Sequence, residues 1–194
     1  MEKLILIDGN SLLNRAFYAM APFTTREGLP TNGIFGFIKL MFRILEDEKP
    51  EYFVVTFDVH APTFRHKIYN QYKGTRKPMP EELVVQVPVL KDLLRAMDIC
   101  IMEKAGYEAD DLIGTIVRRF PEVETLIYTG DHDSYQLIDA HTSVCITKRG
   151  VTDIDRMTQD NFYEKEGITP SQVIELKALM GDNSDNIPGV KGIG

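Results

Sequence analysis

The chain has 194 residues, of which 43% are hydrophobic and 26% are charged, and its formal net charge is −7. This composition is typical of a globular protein with a substantial core and excludes a disordered or fibrous chain. No stretch approaches the roughly 20 apolar residues that a membrane-spanning helix needs, and the N-terminal apolar run is too short for a signal peptide. We therefore expect a monomer in the cytoplasm, without membrane contact.

The two cysteines, Cys100 and Cys145, lie far apart in sequence, and each has apolar neighbours. This pattern favours two buried free thiols in a reducing compartment over a disulfide.

Strands alternate with helices along the chain. In chain order the predicted elements are a strand (3–8), a helix (9–20), a loop (24–33), a helix (34–49), a strand (52–58), a helix (80–97), a strand (99–103), a helix (108–120), two strands (124–131 and 141–148) and two helices (158–167 and 169–181). Asn10 or Ser11 is the expected cap of the first helix, and Pro88 predicts a kink in the third. The alternation predicts an α/β fold with a mostly parallel central sheet flanked by helices.

Acidic residues follow several of the predicted strands. Asp8, Asp58 and Asp131 each end a strand, and ligands of such sheets bind beyond the carboxyl ends of the strands. The helix that starts near residue 108 follows another strand, so its first turn faces the same edge. Glu108 and Asp111 share one face of that helix because they are three residues apart.

The acids expected at this edge number nine. They are Asp8, Asp58, Glu108, Asp110, Asp111, Asp131, Asp133, Asp182 and Asp185. Hard oxygen ligands without a Cys or His cluster favour Mg²⁺ or Mn²⁺ over zinc. So many carboxylates suit two ions about 4 Å apart, the arrangement used for phosphodiester cleavage. Singly, these acids are equally compatible with turn formation, helix capping or a helix dipole.

A basic segment interrupts this acidic chain. Residues 63–77 contain five cations and no acid, although the whole chain has a charge of −7; the cations are Arg65, Lys67, Lys73, Arg76 and Lys77. Tyr69 and Tyr72 lie between them. Cations hold phosphates and aromatic rings stack on unpaired bases, so the segment predicts nucleic-acid binding, with a solvated basic loop as the alternative.

Five stretches together resemble one family. They are "LIDGNSLLNRAFYA", "VVTFDVHAPTFRHKIYNQYKGTRKPMP", "GYEADDLIGT", "TGDHDSYQL" and "LMGDNSDNIPGVKGIG". In this order they resemble the 5′-3′ exonuclease domain of bacterial DNA polymerases I, within the flap endonuclease family. The resemblance implies a Mg²⁺-dependent nuclease that hydrolyses phosphodiester bonds, removing 5′ flaps and RNA primers in DNA replication and repair.

The resemblance also implies roles for individual residues. The first five of the nine acids, from Asp8 to Asp111, would surround one ion, and the four from Asp131 to Asp185 a second. Residues about 60–80 would belong to a helical arch, in which Lys73 and Arg76 face the scissile phosphate. An aromatic residue at Phe17 or Tyr18 would stack near the reacting nucleotide.

The stretch 187–194 resembles the hairpin of a helix–hairpin–helix element. The resemblance implies contacts to the DNA backbone and, in a complete element, a K⁺ ion; the residues implied are Gly189, Lys191, Gly192 and Gly194. We expect a nuclease core at 1–168 and a partial second region at 169–194, in a piece of a longer chain with a polymerase domain. His132 departs from the family, which has Arg or Lys there, and the departure raises the possibility of a His metal ligand.

Two alternatives differ from this interpretation. A PIN-type ribonuclease shares the acidic α/β core, although such domains are shorter and usually lack the basic segment and the "GVKGIG" stretch. A fragment that binds DNA junctions without cleaving them is the second alternative. Metal-dependent cleavage distinguishes the enzyme from the binding fragment.

Overall fold

The computed structural model describes residues 2–148 and 153–193. The strands are β1 (Lys3–Asp8), β2 (Tyr52–Phe57), β3 (Cys100–Glu103), β4 (Glu124–Thr129), β5 (Thr142–Thr147), β6 (Ile154–Met157), β7 (Gly181–Asp182) and β8 (Ile187–Pro188). The helices are α1 (Gly9–Ala19), α2 (Asn32–Glu48), α3 (Phe64–Ile68), α4 (Glu81–Val84), α5 (Gln86–Ala96), α6 (Ala109–Arg119), α7 (Gln159–Glu166) and α8 (Gln172–Met180), with a 3-10 helix at His132–Leu137. No helix among these residues is long and apolar enough to cross a membrane.

Six strands form one sheet in the order β3-β2-β1-β4-β5-β6. All neighbours pair in parallel except β6, which runs antiparallel to β5. The predicted α/β fold with a mostly parallel sheet is confirmed. The chain builds outward from β1 on one side and then returns to β4 on the other, so the strand order reverses between β1 and β4. Such a switch point leaves a crevice at the carboxyl ends of the strands.

The central strands are buried on both faces, which explains their uninterrupted apolar runs. In β1, Ile5 and Ile7 pack in one core cluster, which includes residues of α1, α2 and α5. Leu4 and Leu6 point to the opposite face, into a second cluster with Ile113 of α6 and residues of α7 and α8. Alternate residues of one strand thus anchor two helical layers, and this packing fixes the carboxyl edge of the sheet.

The predicted helix over 80–97 is wrong in one respect, because it is two helices that meet at Val85. Pro88, in the first turn of α5, has no N–H to donate to the carbonyl of Val84, and its ring crowds that turn. The break therefore falls about one turn before the proline and not at it.

Other differences are local. The cap of α1 is Asp8, not Asn10 or Ser11, since its side chain accepts a hydrogen bond from the Ser11 backbone. Cys145 is a buried free thiol as predicted, but Cys100 is exposed because β3 is the edge strand of the sheet. The elements that the periodicity does not predict are α3, β6, the 3-10 helix and the β7–β8 hairpin.

Candidate active site

Four carboxylates meet at the carboxyl edge of the sheet. Asp8 ends β1, Asp58 follows β2, Asp131 lies two residues beyond β4, and Asp110 lies in the first turn of α6. They line a single cavity of about 680 Å³. Lys73 and Arg76 of the basic segment also line this cavity.

Asp8 is the most constrained of these four. It accepts hydrogen bonds from the Ser11 backbone and from the Thr129 hydroxyl, both at 3.0 Å. Burial raises the pKa of Asp8 to about 6, and the negative charges of Asp58 and Asp131 add to the effect. The two hydrogen bonds oppose this increase but do not cancel it.

The buried carboxylate of Asp110 has few groups that stabilise its negative charge. Its Oδ1 atom is buried and has no hydrogen-bond partner among the described residues. Burial raises the pKa of Asp110 well above its usual range, and Asp8, Asp131 and Asp58 raise it further. A buried carboxylate oxygen without a partner is costly, so a cation would relieve this site.

The four carboxylates share a second property. Among residues 2–148 and 153–193, none of them forms an ion pair with a lysine or arginine. In the same residues, no three acidic, His or Cys side chains converge closely enough to hold a metal as they lie. The donor chemistry fits a hard divalent cation, and binding would require the side chains to move together.

The other five predicted acids are paired with cations of the chain. Lys73 Nζ lies 2.8 Å from Glu108 Oε1, and Arg76 pairs with Asp185. Arg65 holds Asp111 with two parallel hydrogen bonds of 2.8 Å. Burial acts to raise the pKa of Asp111, but the hydrogen bonds from Arg65 and from the Glu108 backbone outweigh this effect. The pKa of Asp111 is therefore lowered.

Tyr72 joins the basic segment to the acids. Its hydroxyl lies 2.9 Å from Glu108 Oε2 and 2.8 Å from Asp185 Oδ2, so one proton is placed between two carboxylates. Only 5% of Tyr72 is exposed. Burial, followed by these two bonds, raises the pKa of Tyr72. The ring is therefore not available for the predicted stacking on a base in this arrangement.

Asp133 and Asp182 form a further pair around one lysine. Lys177 Nζ on α8 lies 2.7 Å from Asp133 Oδ1 and 2.7 Å from Asp182 Oδ2. The backbone N–H and the hydroxyl of Ser184 also donate to Asp182, at 2.8 and 2.6 Å. Burial acts to raise the pKa of Asp182, but the bonds from Lys177 and Ser184 hold it well below its usual range.

The remaining predicted nucleic-acid contacts lie mostly at the surface. Lys67 and Lys77 are exposed, and Tyr69 is half-buried. Gly189, Lys191 and Gly192 are exposed beyond β8, whereas Gly194 lies outside the described residues. Tyr18 is 67% exposed at the rim of the acidic cavity.

A known protein family matches most of the chain. The family described as 5′-3′ exonuclease, N-terminal resolvase-like domain, matches residues 3–167. The chain belongs to this 5′-3′ exonuclease family. The predicted family is thus confirmed, and the match decides against a PIN-type ribonuclease.

Two bacterial proteins are similar to this 5′-3′ exonuclease domain over its whole length. The chain is 43% identical over 201 residues to a 5′-3′ exonuclease of Mycoplasma pneumoniae, covering 100% of the chain and 69% of that protein. It is 45% identical over 195 residues to DNA polymerase I of Bacillus subtilis, again over 100% of the chain. The chain spans only 22% of the length of that polymerase.

Solved structures share the fold. The bacteriophage T5 flap endonuclease, solved as a pseudo-enzyme–product complex with DNA and metal ions, superposes with a TM-score of 0.77. The match covers 100% of this chain and 71% of that chain, at 24% sequence identity.

Two supporting residues of the 5′-3′ exonuclease domain are absent from the predicted site. Asn10 Oδ1 accepts from the Asp58 backbone at 2.9 Å, and Ser11 Oγ accepts from the Gly130 backbone at 2.9 Å. Their position directly after β1 is the signal that could have identified them. His132 stacks on Tyr135 with ring centroids 4.9 Å apart and lines a separate cavity, so it lies outside the acidic site.

Proposed function

We propose that this chain hydrolyses phosphodiester bonds of DNA near junctions between single and double strands, as a 5′-3′ exonuclease and flap endonuclease. One observation carries the proposal. Four carboxylates without cationic partners among the described residues share a cavity with Lys73 and Arg76. Such a site has carboxylates that can hold divalent cations and basic side chains that can hold a phosphate.

We assign divalent-ion binding in the first place to Asp8, Asp58, Asp110 and Asp131. All four line one cavity, where burial and mutual repulsion raise the pKa of Asp8 and of Asp110. Two Mg²⁺ ions, replaceable by Mn²⁺, would activate a water for in-line attack and stabilise the leaving oxygen. The T5 structure, which holds metal ions in the same fold, is consistent with this assignment.

In this proposal, three of the other five acids have a role that depends on the basic segment, and two have a role that depends on Lys177. Lys73 binds Glu108, and Arg76 binds Asp185. Arg65 binds Asp111. Lys177 binds both Asp133 and Asp182. A bound phosphate would take over Lys73 and Arg76, which then stabilise charge that develops at the scissile phosphate. Glu108 and Asp185, released in this way, would join the metal-binding set.

DNA with 5′ flaps, and RNA primers paired to DNA, are the proposed substrates. Lys67 and Lys77 would hold backbone phosphates, and Tyr69 and the exposed Tyr18 would contact bases. The turn at Gly189, Lys191 and Gly192 would approach duplex DNA, with K⁺ if a complete helix–hairpin–helix follows. We further propose that the nuclease core spans 1–168 and that a second region begins at 169. We also propose that the protein is cytoplasmic and that its chain continues into a polymerase domain.

The test is cleavage of a 5′-labelled flap DNA by the 194-residue chain in Mg²⁺, in EDTA and with the Asp131→Ala variant. We expect cleavage in Mg²⁺ only, giving a 5′-phosphate and a 3′-hydroxyl, and its loss in the variant. Binding of the flap without cleavage in any divalent ion would contradict the enzymatic proposal for this chain and support junction binding alone.

A further inference from the structure

Lys177 occupies a position between two acidic elements. Its ammonium lies 2.7 Å from Asp133 Oδ1 on the 3-10 helix and 2.7 Å from Asp182 Oδ2 on β7. No other described lysine or arginine contacts either of these carboxylates. One cation of the chain therefore bridges two of the four acids assigned to the second ion by the family resemblance.

The surroundings of Lys177 favour its charged form. Burial acts to lower the pKa of Lys177, but the bonds to Asp133 and Asp182 outweigh it and hold the pKa above its usual value. The ammonium lines a cavity of about 190 Å³ that Asp131 and Asp185 also line. A divalent ion that enters this cavity meets oxygens already held by a monovalent cation.

Lys177 can leave this position without unfolding its helix. Its side chain is 42% exposed, although it lines the cavity. A long, flexible side chain of this kind can turn to solvent or to a phosphate while its backbone stays fixed.

We propose that Lys177 is a tethered competitor for the second divalent ion, whose binding requires the ammonium to leave Asp133 and Asp182. The inference rests on the proposed metal-dependent function. Since a cation of the chain must be displaced first, the second ion binds more weakly than the first. A DNA phosphate that attracts Lys177 then promotes metal binding, and by linkage the metal promotes DNA binding.

The experiment is Mn²⁺ titration of the EDTA-treated, dialysed chain, followed by electron paramagnetic resonance of free Mn²⁺ and by calorimetry. Lys177→Met removes the ammonium and keeps the length of the side chain. We expect the second Mn²⁺ to bind roughly tenfold more tightly, as expected for the loss of two partly exposed ion pairs. Lys177→Arg, which keeps the charge, should retain weak binding.

Two controls make the result specific. Lys165→Met removes the same charge from the neighbouring α7, where the lysine pairs with Asp155, and should leave Mn²⁺ binding unchanged. In an Asp182→Asn background, Lys177→Met should give less than the full gain, because one of the two contested carboxylates is gone. Melting temperatures of all variants report whether each one is folded.

The outcomes separate the inference from the function on which it rests. Two bound ions in the parent chain, with unchanged or weaker binding in Lys177→Met, would overturn the competitor role and make Lys177 a structural clamp. Absence of any Mn²⁺ binding in both the parent and Lys177→Met would overturn the metal proposal itself, and the inference with it.

Discussion

Asp8 combines a structural and an electrostatic role that act in opposite directions. Its carboxylate caps α1, which is favourable, but it is buried beside Asp58 and Asp131, which is not. The pKa of Asp8 is about 6 in the folded chain, above the ordinary aspartate value of 3.8, which we take for the unfolded chain. Ionised Asp8 therefore destabilises the fold above pH 6, and this cost disappears as the pH falls below about 4.

Replacement of Asp8 by Asn should remove this cost and keep the cap, since Asn is an equally good N-cap residue. In EDTA at pH 7.5 we expect the melting temperature to rise by about 3 °C, or on the order of 1 kcal/mol for a domain of this size. At pH 4 the gain should vanish. Asp160→Asn, at an exposed position of α7, is the control. An equal gain at both pH values would contradict the electrostatic origin.

A substitution at Tyr72 tests whether this residue has a buried structural role or the predicted role in base stacking. Tyr72→Phe keeps the ring and removes the hydroxyl that lies between Glu108 and Asp185. We expect a loss of about 1–2 kcal/mol in the free energy of unfolding, since buried carboxylate oxygens lose a donor. Urea unfolding measures it. The matched variant Tyr69→Phe loses only an exposed 3.3 Å bond to Gln71 and should be neutral. Equal stability of both variants would contradict the buried role.

At the scale of elements, the β7–β8 hairpin determines where Asp182 and Asp185 lie. Gly181 and Gly189 bring two backbones together so closely that a Cβ on Gly189 would collide with the Met180 carbonyl. Gly181 also has a φ of +74°, which favours glycine. The two glycines are therefore required by backbone packing, in addition to any approach to DNA.

Gly189→Ala should open this hairpin and displace both carboxylates. Hydrogen exchange of residues 181–190 should increase at least tenfold, which corresponds to about 1.4 kcal/mol of local stability. The control is Gly114→Ala in α6. There the added methyl group would lie 3.6 Å from the Leu137 side chain, an ordinary contact distance. Weaker DNA binding by Gly189→Ala with unchanged hydrogen exchange would contradict the packing role and favour a direct contact.

The elements differ in how far the sequence predicts them. Long apolar runs predict β1, β2 and β4, and amphipathic periodicity predicts α2 and α6. The structure confirms the existence and type of all five elements. Short elements such as α3 and β6 depend on tertiary partners, and local periodicity cannot identify them. The shared edge of Asp8, Asp58 and Asp131 follows from parallel topology. The pairing of Lys177 with Asp133 does not, because these two residues come from elements distant in sequence.

At the scale of the whole molecule, the net charge is negative although one segment is strongly basic. The chain has a net charge of −7, yet it is proposed to bind a polyanion. Arg65, Lys73 and Arg76 neutralise acids of the chain itself. Lys67 and Lys77 are exposed, and among the described residues neither forms an ion pair. Long-range attraction of DNA therefore depends on these two lysines more than on the three paired cations of the basic segment.

Replacement of both Lys67 and Lys77 by Ala should weaken the binding of flap DNA and reduce its dependence on salt. Each phosphate contact contributes about 0.9 to the slope of log K against log salt concentration, so the slope should fall by about 1.8. Fluorescence anisotropy in Ca²⁺ between 50 and 200 mM salt, about a fourfold range in which such slopes are well resolved, measures it. Lys39→Ala and Lys49→Ala together remove the same charge from α2 and its end, and serve as the control. If the control lowers the slope equally, binding depends on net charge alone, and the basic segment is a solvated loop.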